Sequence, residues 1–525
     1  MTRAIRPAGD GAPRPANALS TPDGLAAGAA GAGGSPPEPV GAAEGAPDGT
    51  AANTARNAYV LAAATILARL AMYALAIVMQ RELGATQYGR YGFASALGIV
   101  LLPVADIGLT PYVIREVAQA RESAEAALRV MLRVKLVLTL ASIAAVGALA
   151  ALFSSNGELV AVVLIVVFAS LVDGISLFVF GYFRGRERMG LEAWLTTLTA
   201  FARAVGGIVL VLATGRLLPA LIWLLAVSVL QLVFAGVRLR QSLTGVTILR
   251  GPATGTVHWH TVSAIGSIAV LTVIYTRADA VLVQWIEGSK SVGLYTAAYT
   301  LMLGLGTLPW IISSALVPVF ARTRESDPAV FESSWHEGMR AVLVVALPLS
   351  LVVCLLGRPI IVQVSGPEYA PAATSLAILA WTGPLAAFNS LITAVLRAAR
   401  REDWLTRASA AGVVMNVGLN LWAIPTFGIG GAAAATVGTE VVISAILGGL
   451  ALRGHIVPWP RLPYLGLVGA LGVLAIVAVL GRALPLVVCA AAALAAYAAA
   501  ALLTRVVGRR DLELLRGAVA SRRGG

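Results

Sequence analysis

Charge is scarce in this chain. Asp, Glu, Lys and Arg make up 12% of its 525 residues, about half of what a soluble globular chain carries. Hydrophobic residues fill 58%, and the mean hydropathy is +0.84. A water-soluble fold cannot hide that much apolar surface, so most of the chain belongs in lipid. Lysine is nearly missing: Lys135 and Lys290 are the two lysines among 39 basic residues. Neither follows a glycine, so no GxxxxGK[ST] loop exists, which excludes a nucleotide-driven pump of that type. So strong an arginine bias fits a GC-rich genome and weakens any argument that one site chose Arg over Lys. Two cysteines, Cys354 and Cys489, both in apolar runs, offer neither a disulfide framework nor a CxxC site. Four histidines without HExxH spacing give no metal site. No metal and no cofactor are expected.

What is present is a succession of apolar runs. Residues 1–50 differ, with ten Gly and eight Pro and no apolar h-region. Residues 1–56 read as a disordered cytoplasmic tail, not a signal peptide. From 57 to 507 there follow about 14 runs: 58–80, 86–109, 131–153, 158–182, 191–213, 217–237, 261–286, 292–320, 339–363, 372–396, 404–424, 429–452, 462–481 and 483–506. Each is near the ~20 residues that cross ~30 Å of hydrocarbon as a helix. With the N-terminus inside, and charges within five residues of a span end counted with the adjoining loop, thirty basic residues fall in inside segments, six in outside loops and three deep within spans. That is the bias of the positive-inside rule, and it places both termini in the cytoplasm. It reads the +13 net charge as cytoplasmic loops; nucleic acid is not expected as a partner. Outside loops such as "SSNGE" and "EGSKS" are too short for an extracytoplasmic domain. A membrane-embedded polymerase or ligase normally carries a large one, so an enzyme is the less favoured class.

A shift of 204 residues lays Gln80, Gly84, Gly89, Tyr91 and Ala94 on Gln284, Gly288, Gly293, Tyr295 and Ala298. Each set closes one span, makes a glycine-bearing outside turn and opens the next. The offset covers six helices, an even number, so the halves share orientation about an axis along the membrane normal. The expected fold is an all-α polytopic membrane protein with about 14 transmembrane helices. It divides into a six-helix bundle at 57–240, a cytoplasmic linker at 241–260, a second bundle at 261–455, two additional helices at 456–507 and a basic cytoplasmic tail at 508–525. Gly84, Gly89, Gly288 and Gly293 are its structural turn or gate positions.

Ionisable residues inside spans cost ~2.5–3.5 kcal/mol each on the insertion scale and normally face a cavity or a partner. Arg69, Arg203 and Arg277 are the basic set, read as a cationic cavity for an anionic head group, since a guanidinium forks onto phosphate. The competing reading pairs each with an Asp or a carbonyl to hold helices together. Asp173, Asp279 and Glu440 are candidates for ion coupling or helix pairing. Arg277 and Asp279 stand two apart, about 200° around a helix, too divergent to satisfy one another. Asp106 is expected to cap locally or to pair with Arg115.

Pro103, Pro309, Pro348 and Pro384 fall inside spans and allow bending. Tryptophans 194, 223, 285, 310, 381, 404 and 422 read as interface anchors. The stretch 114–138 reads as an amphipathic basic helix on anionic lipid.

The segments "QRELGATQYGRYGFASA", "PVADIGLTPYVIREVA", "RADAVLVQW", "VGLYTAAYTL", "ALVPVFAR" and "SGPEYAPAA" resemble the oligosaccharide flippase family. This Wzx-type polysaccharide biosynthesis family belongs to the MOP superfamily, with the MATE multidrug exporters and lipid II flippases. The likeness covers about 57–455. It implies a two-bundle MATE-like fold in the bacterial cytoplasmic membrane. It also implies a flippase that moves undecaprenyl-(pyro)phosphate-linked oligosaccharide from inner to outer leaflet by alternating access, for cell-surface polysaccharide. Its partners would be that substrate, membrane lipids, a proton or sodium, and other polysaccharide assembly proteins. By analogy with the lipid II flippase, the last two helices shelter the lipid tail or serve as packing. A lipid II flippase and a cation-coupled multidrug exporter are the alternatives; three mid-span arginines speak against cationic drugs.

Overall fold

A computed structural model describes residues 48–119, 124–153, 156–243 and 257–506. The N-terminal tail before residue 48, most of the 241–260 linker and the basic C-terminal tail lie outside the described residues. The described chain is helical. Its elements are α1 (Asp48–Val104), α2 (Leu109–Gln119), α3 (Ala124–Phe153), α4 (Gly157–Gly185), α5 (Gly190–Thr214), α6 (Leu217–Ser242), α7 (Trp259–Glu287), α8 (Ser289–Ser326) and α9 (Pro328–Ser365). A short 3-10 turn, Pro367–Ala372, leads into α10 (Ala373–Leu379), α11 (Thr382–Ala398), α12 (Glu402–Arg453), α13 (Tyr464–Leu480) and α14 (Leu486–Leu503).

All fourteen apolar runs fall on helix. Ten described helices are long and apolar enough to cross a membrane, or eleven if the bent pair Ile66–Val104 and Leu109–Gln119 is one span. The ten count α12 once and leave out α8, and α1 enters only through the bent pair. At 52 residues, α12 would reach about 78 Å, more than two bilayer cores. It breaks at Gly428, whose φ is 61° and ψ −145°. α1 breaks likewise at Gly84, with φ 73° and ψ 171°. These are conformations that glycine adopts at little cost.

Other ends have local causes. Asn156 caps α4 by accepting from the Glu158 and Leu159 amides, the usual role of that side chain. Asp327 caps α9 from Val330 N at 3.1 Å, with Pro328 at the first helical position. Inside α9 the helical geometry fails at Leu356, three residues before Pro359. Proline's missing N–H and its ring disturb the preceding turn. Pro384 instead sits in the first turn of α11, where proline is tolerated.

The amphipathic expectation for 114–138 needs correction. Residues 120–123 lie outside the described set, and α3 runs continuously from Ala124 into the apolar run. The apolar face of α2 (Leu109, Tyr112, Val113, Val117) is buried on protein rather than lipid. Gly181 and Gly185 of α4 make room for it. A Cβ at Gly185 would lie 2.7 Å from that of Val117.

α2, α3, α5 and α6 pack around or against α4 and one another, while α7 packs on α12, and α8 on α9 and α11. α13 and α14 pack on each other and on α9, burying Leu467, Leu474 and Tyr497 with Val352 and Leu356.

Candidate functional site

The two repeat turns meet. A Cβ on Gly89 would collide with the Ser289 carbonyl oxygen, and one on Gly293 with that of Ala85. Ala85 and Ser289 are themselves 204 apart, so the contact is reciprocal, as two-fold symmetry demands. Gly84 and Gly288 both hold left-handed φ, 73° and 85°. Around this crossing Arg81 donates to the carbonyls of Gln363 and Val364, the latter at 2.8 Å. The Glu368 carboxylate accepts from Ala85 N at 3.2 Å. At the far end of the same helices, Gly108 (φ 87°) abuts the Val262 carbonyl, and Gly266 abuts Ile107. The two halves therefore touch at both ends.

Between these contacts lies a cavity in two compartments. The larger, about 510 Å³, is lined by α1, α7 and α8, and includes Arg69, Tyr73, Tyr91, Arg277, Asp279 and Tyr299. The smaller, about 270 Å³, is lined by Tyr275, Thr382, Ser390, Asn416, Thr436 and Glu440 among others. Arg69, Tyr299 and Leu303 line both and mark the junction. Arg69 and Arg277, one from the first helix of each repeat, thus share one cavity.

Three of the charges there, Arg277, Asp279 and Glu440, are held by neutral groups. The Arg277 guanidinium lies 4.8 Å over the Tyr299 ring, a favourable cation–π placement, and the Tyr299 hydroxyl donates to the Thr276 carbonyl at 3.3 Å. Asp279 is buried and accepts from the Tyr295 hydroxyl, from Thr436 Oγ1 at 3.2 Å and from Ala280 N at 2.7 Å. It thereby ties α7 to α8 and α12, and it makes no ion pair with Arg277, in line with their divergence on the helix. Glu440 accepts from Asn389 Nδ2 at 2.7 Å, and Ser444 Oγ donates to Asn389 Oδ1 at 2.9 Å.

Arg203 lies elsewhere. It is not among the residues lining either compartment. It bonds Asp173 at 2.6 Å, Ser228 Oγ at 3.0 Å and Gln231 Oε1 at 3.4 Å, joining α5 to α4 and α6. Asp173 of α4 thus meets α5 through Arg203. Asp106 caps locally, accepting from Thr110 N at 3.1 Å and Thr110 Oγ1 at 2.7 Å, but its cation is Lys135 at 2.7 Å, not Arg115. Lys135 is 29 residues away in sequence, and nothing local marks it as the partner.

The sequence marks Tyr91 through the repeat but assigns no tyrosine to the cavity. Tyr73, Tyr91, Tyr275 and Tyr299 bring rings to the cavity; tyrosine within a span, away from the interface belt, was the available signal. The sequence reading also passed over Asn389, Asn416 and Thr436, whose polar groups inside apolar runs needed a partner or a cavity.

Residues 54–324 match the family described as polysaccharide biosynthesis protein, and residues 265–422 match the MatE family. Over 364 residues the chain is 26% identical to a probable low-salt glycan biosynthesis flippase, Agl15, of Haloferax volcanii, covering 68% of this chain and 74% of that protein. Its fold is similar to the lipid II flippase MurJ in an inward closed conformation, with a TM-score of 0.69 and 14% identity over 86% of this chain and 99% of that one. It is also similar to a multidrug resistance MATE family transporter of the MOP superfamily in an inward-facing conformation. There the TM-score is 0.59 and the identity 15%, over 74% and 94% of the two chains. At such identities the structural likeness speaks to fold alone. The family match takes in more than half of the sequence: this multi-pass membrane protein belongs to the polysaccharide biosynthesis protein family.

Proposed function

We propose that this protein is a flippase of the MOP superfamily that moves undecaprenyl-(pyro)phosphate-linked oligosaccharide from the inner to the outer leaflet of a bacterial cytoplasmic membrane by alternating access. The observation that carries this reading is the shared cavity: Arg69 and Arg277 come from the first helix of each repeat and line the same 510 Å³ compartment. A pyrophosphate between them is gripped from both halves, so head-group binding is coupled to their closure. The printed name of Agl15, a glycan biosynthesis flippase, is consistent with a lipid-linked glycan.

α11 separates two environments. Its Thr382, Gly383 and Ser390 face the small compartment, whereas its Trp381, Pro384 and Phe388 line an apolar groove of about 760 Å³ with Trp335, Leu347 and Val441. In our reading the head group sits on one side of α11 and the isoprenoid tail runs along the other. A proton or sodium is the candidate coupling ion, with Asp279 and Glu440 as the acidic groups of the cavity. The chain divides in this reading into bundles at 57–240 and 261–455, and the packing of α13 and α14 on α9 suits their status as additions. A lipid II flippase is the second reading, favoured by the likeness of fold over the whole of that chain.

Translocation of a lipid-linked sugar in proteoliposomes tests the assignment. Arg69→Ala and Arg277→Ala should each abolish it, and Arg277→Lys should keep part, because charge survives without the fork. Topology is tested separately. Reporter fusions after Ser289 and at Gly525 should report opposite sides; the same side for both would end the fourteen-span topology with cytoplasmic termini.

A further inference from the structure

The two compartments differ in chemistry. The larger holds both cavity guanidiniums, and its one carboxylate, Asp279, is already engaged by two hydroxyls and an amide. The smaller shares Arg69 at its junction with the larger and otherwise offers hydroxyls (Thr382, Ser390, Thr436), an amide (Asn416), two tyrosine rings (Tyr275, Tyr299) and the carboxylate of Glu440. Of that carboxylate, Oε2 accepts from Asn389, which fixes the side chain between α11 and α12. No bond to its Oε1 is seen among the described residues, and the half-buried Glu440 lines the compartment. A carboxylate held in place, beside neutral donors and acceptors and aromatic faces, suits the hydroxyls and C–H face of a sugar ring. A phosphate would meet like charge there. A compartment of about 270 Å³ has room for a pyranose ring. Arg69 at the junction can reach a phosphate on one side while a sugar attached to it enters the other.

We infer that the small compartment is a subsite for the first, lipid-proximal sugar, and that Glu440 selects there for a neutral hydroxyl-bearing residue against a uronic acid. This rests on the pyrophosphate reading of the larger compartment. Glu440 bonds sugar hydroxyls directly, which makes it a specificity determinant that the phosphate does not touch.

The test is binding by the full chain in lipid nanodiscs. Three probes are used: undecaprenyl pyrophosphate alone, the same carrier bearing one neutral hexose, and the carrier bearing one hexuronate. The wild type should bind the hexose carrier about tenfold more tightly than the bare carrier, the scale of a hydrogen bond to a charged group. It should bind the hexuronate carrier more weakly than the hexose carrier. Glu440→Gln, which can keep the Asn389 bond, should lose most of the hexose gain, read as the ratio of hexose-carrier to bare-carrier affinity, and the discrimination against uronate. Ala386→Leu, which fills the compartment from an exposed position on α11, should remove the hexose gain without touching the Glu440 bond and covers any folding defect of the first variant. An undiminished hexose gain in either folded variant, or equal loss for bare and sugar-bearing carriers, overturns the subsite. Failure of the wild type to bind the bare carrier, with hexose binding intact, would instead overturn the pyrophosphate reading.

Discussion

Arg203 and Arg277 both lie inside long apolar helices, and from their positions alone they look equivalent. Arg203 meets Asp173 at 2.6 Å with Ser228 and Gln231 completing its surroundings, while Arg277 rests on the ring of Tyr299. The contrast extends to their neighbours. Two further pairs away from the cavity match charge with charge: Lys135 with Asp106, and Arg184 with Glu192 by two bonds. Around the cavity, Asp279 is held by hydroxyls and Glu440 by an amide. A charge met by a counter-ion has its field cancelled and joins helices. A charge held by neutral dipoles keeps its field for a ligand. Depth in the membrane signals that an ionisable residue needs a reason to be there, and the partner decides which reason applies.

This contrast breaks first at the matched pair. Arg203→Ala should cost about 3 kcal/mol, the low end for a broken buried pair, because both side chains keep some exposure. The expected readout is loss of detergent-stable protein. The double variant Arg203→Ala with Asp173→Ala should recover yield relative to the single one, since no unpaired carboxylate is left. Equal yields for single and double variants would show that the pair does not hold α4 to α5.

A smaller effect on yield, with a large one on conformation, is expected at the glycine crossing. Gly89→Leu places a side chain where the Ser289 carbonyl lies. It should therefore disfavour the closed arrangement of the two turns. In a background lacking Cys354 and Cys489, a cysteine replacing Ser95 in the cavity should be labelled faster by an impermeant thiol reagent added outside. Unchanged labelling would mean that the crossing is no barrier.

Much of the fold was readable because its signals are local or periodic. Twenty-residue apolar runs can only be helices in lipid. The glycines of the 204-residue repeat mark turns because both Gly84 and Gly288 need left-handed backbone. The shared cavity of Arg69 and Arg277 was approached from the repeat and from their depth. What could not be read were distant pairings: Lys135 with Asp106 across 29 residues, Arg203 with Asp173 across 30. Side-chain partners on different helices leave no spacing signature. The buried face of α2 was missed for a related reason. An amphipathic stripe looks the same to lipid and to a neighbouring helix, and only the Gly181 and Gly185 surface of α4 distinguishes them.

The smallest effect is expected at the N-terminal tail. Its ten Gly and eight Pro within 1–50 leave little apolar area to bury. Deleting residues 1–50 should leave insertion and translocation near wild type. Loss of transport in a correctly inserted deletion would show that the tail docks on the transporter.

The central claim is that the cavity arginines act on substrate and the paired arginine acts on structure. The most direct measurement is translocation of a lipid-linked sugar by Arg277→Ala, taken beside its detergent-stable yield and beside the same two quantities for Arg203→Ala. The account predicts normal yield with transport abolished for Arg277→Ala, and lost yield for Arg203→Ala. A folded Arg277→Ala protein that flips its substrate at the wild-type rate would contradict it.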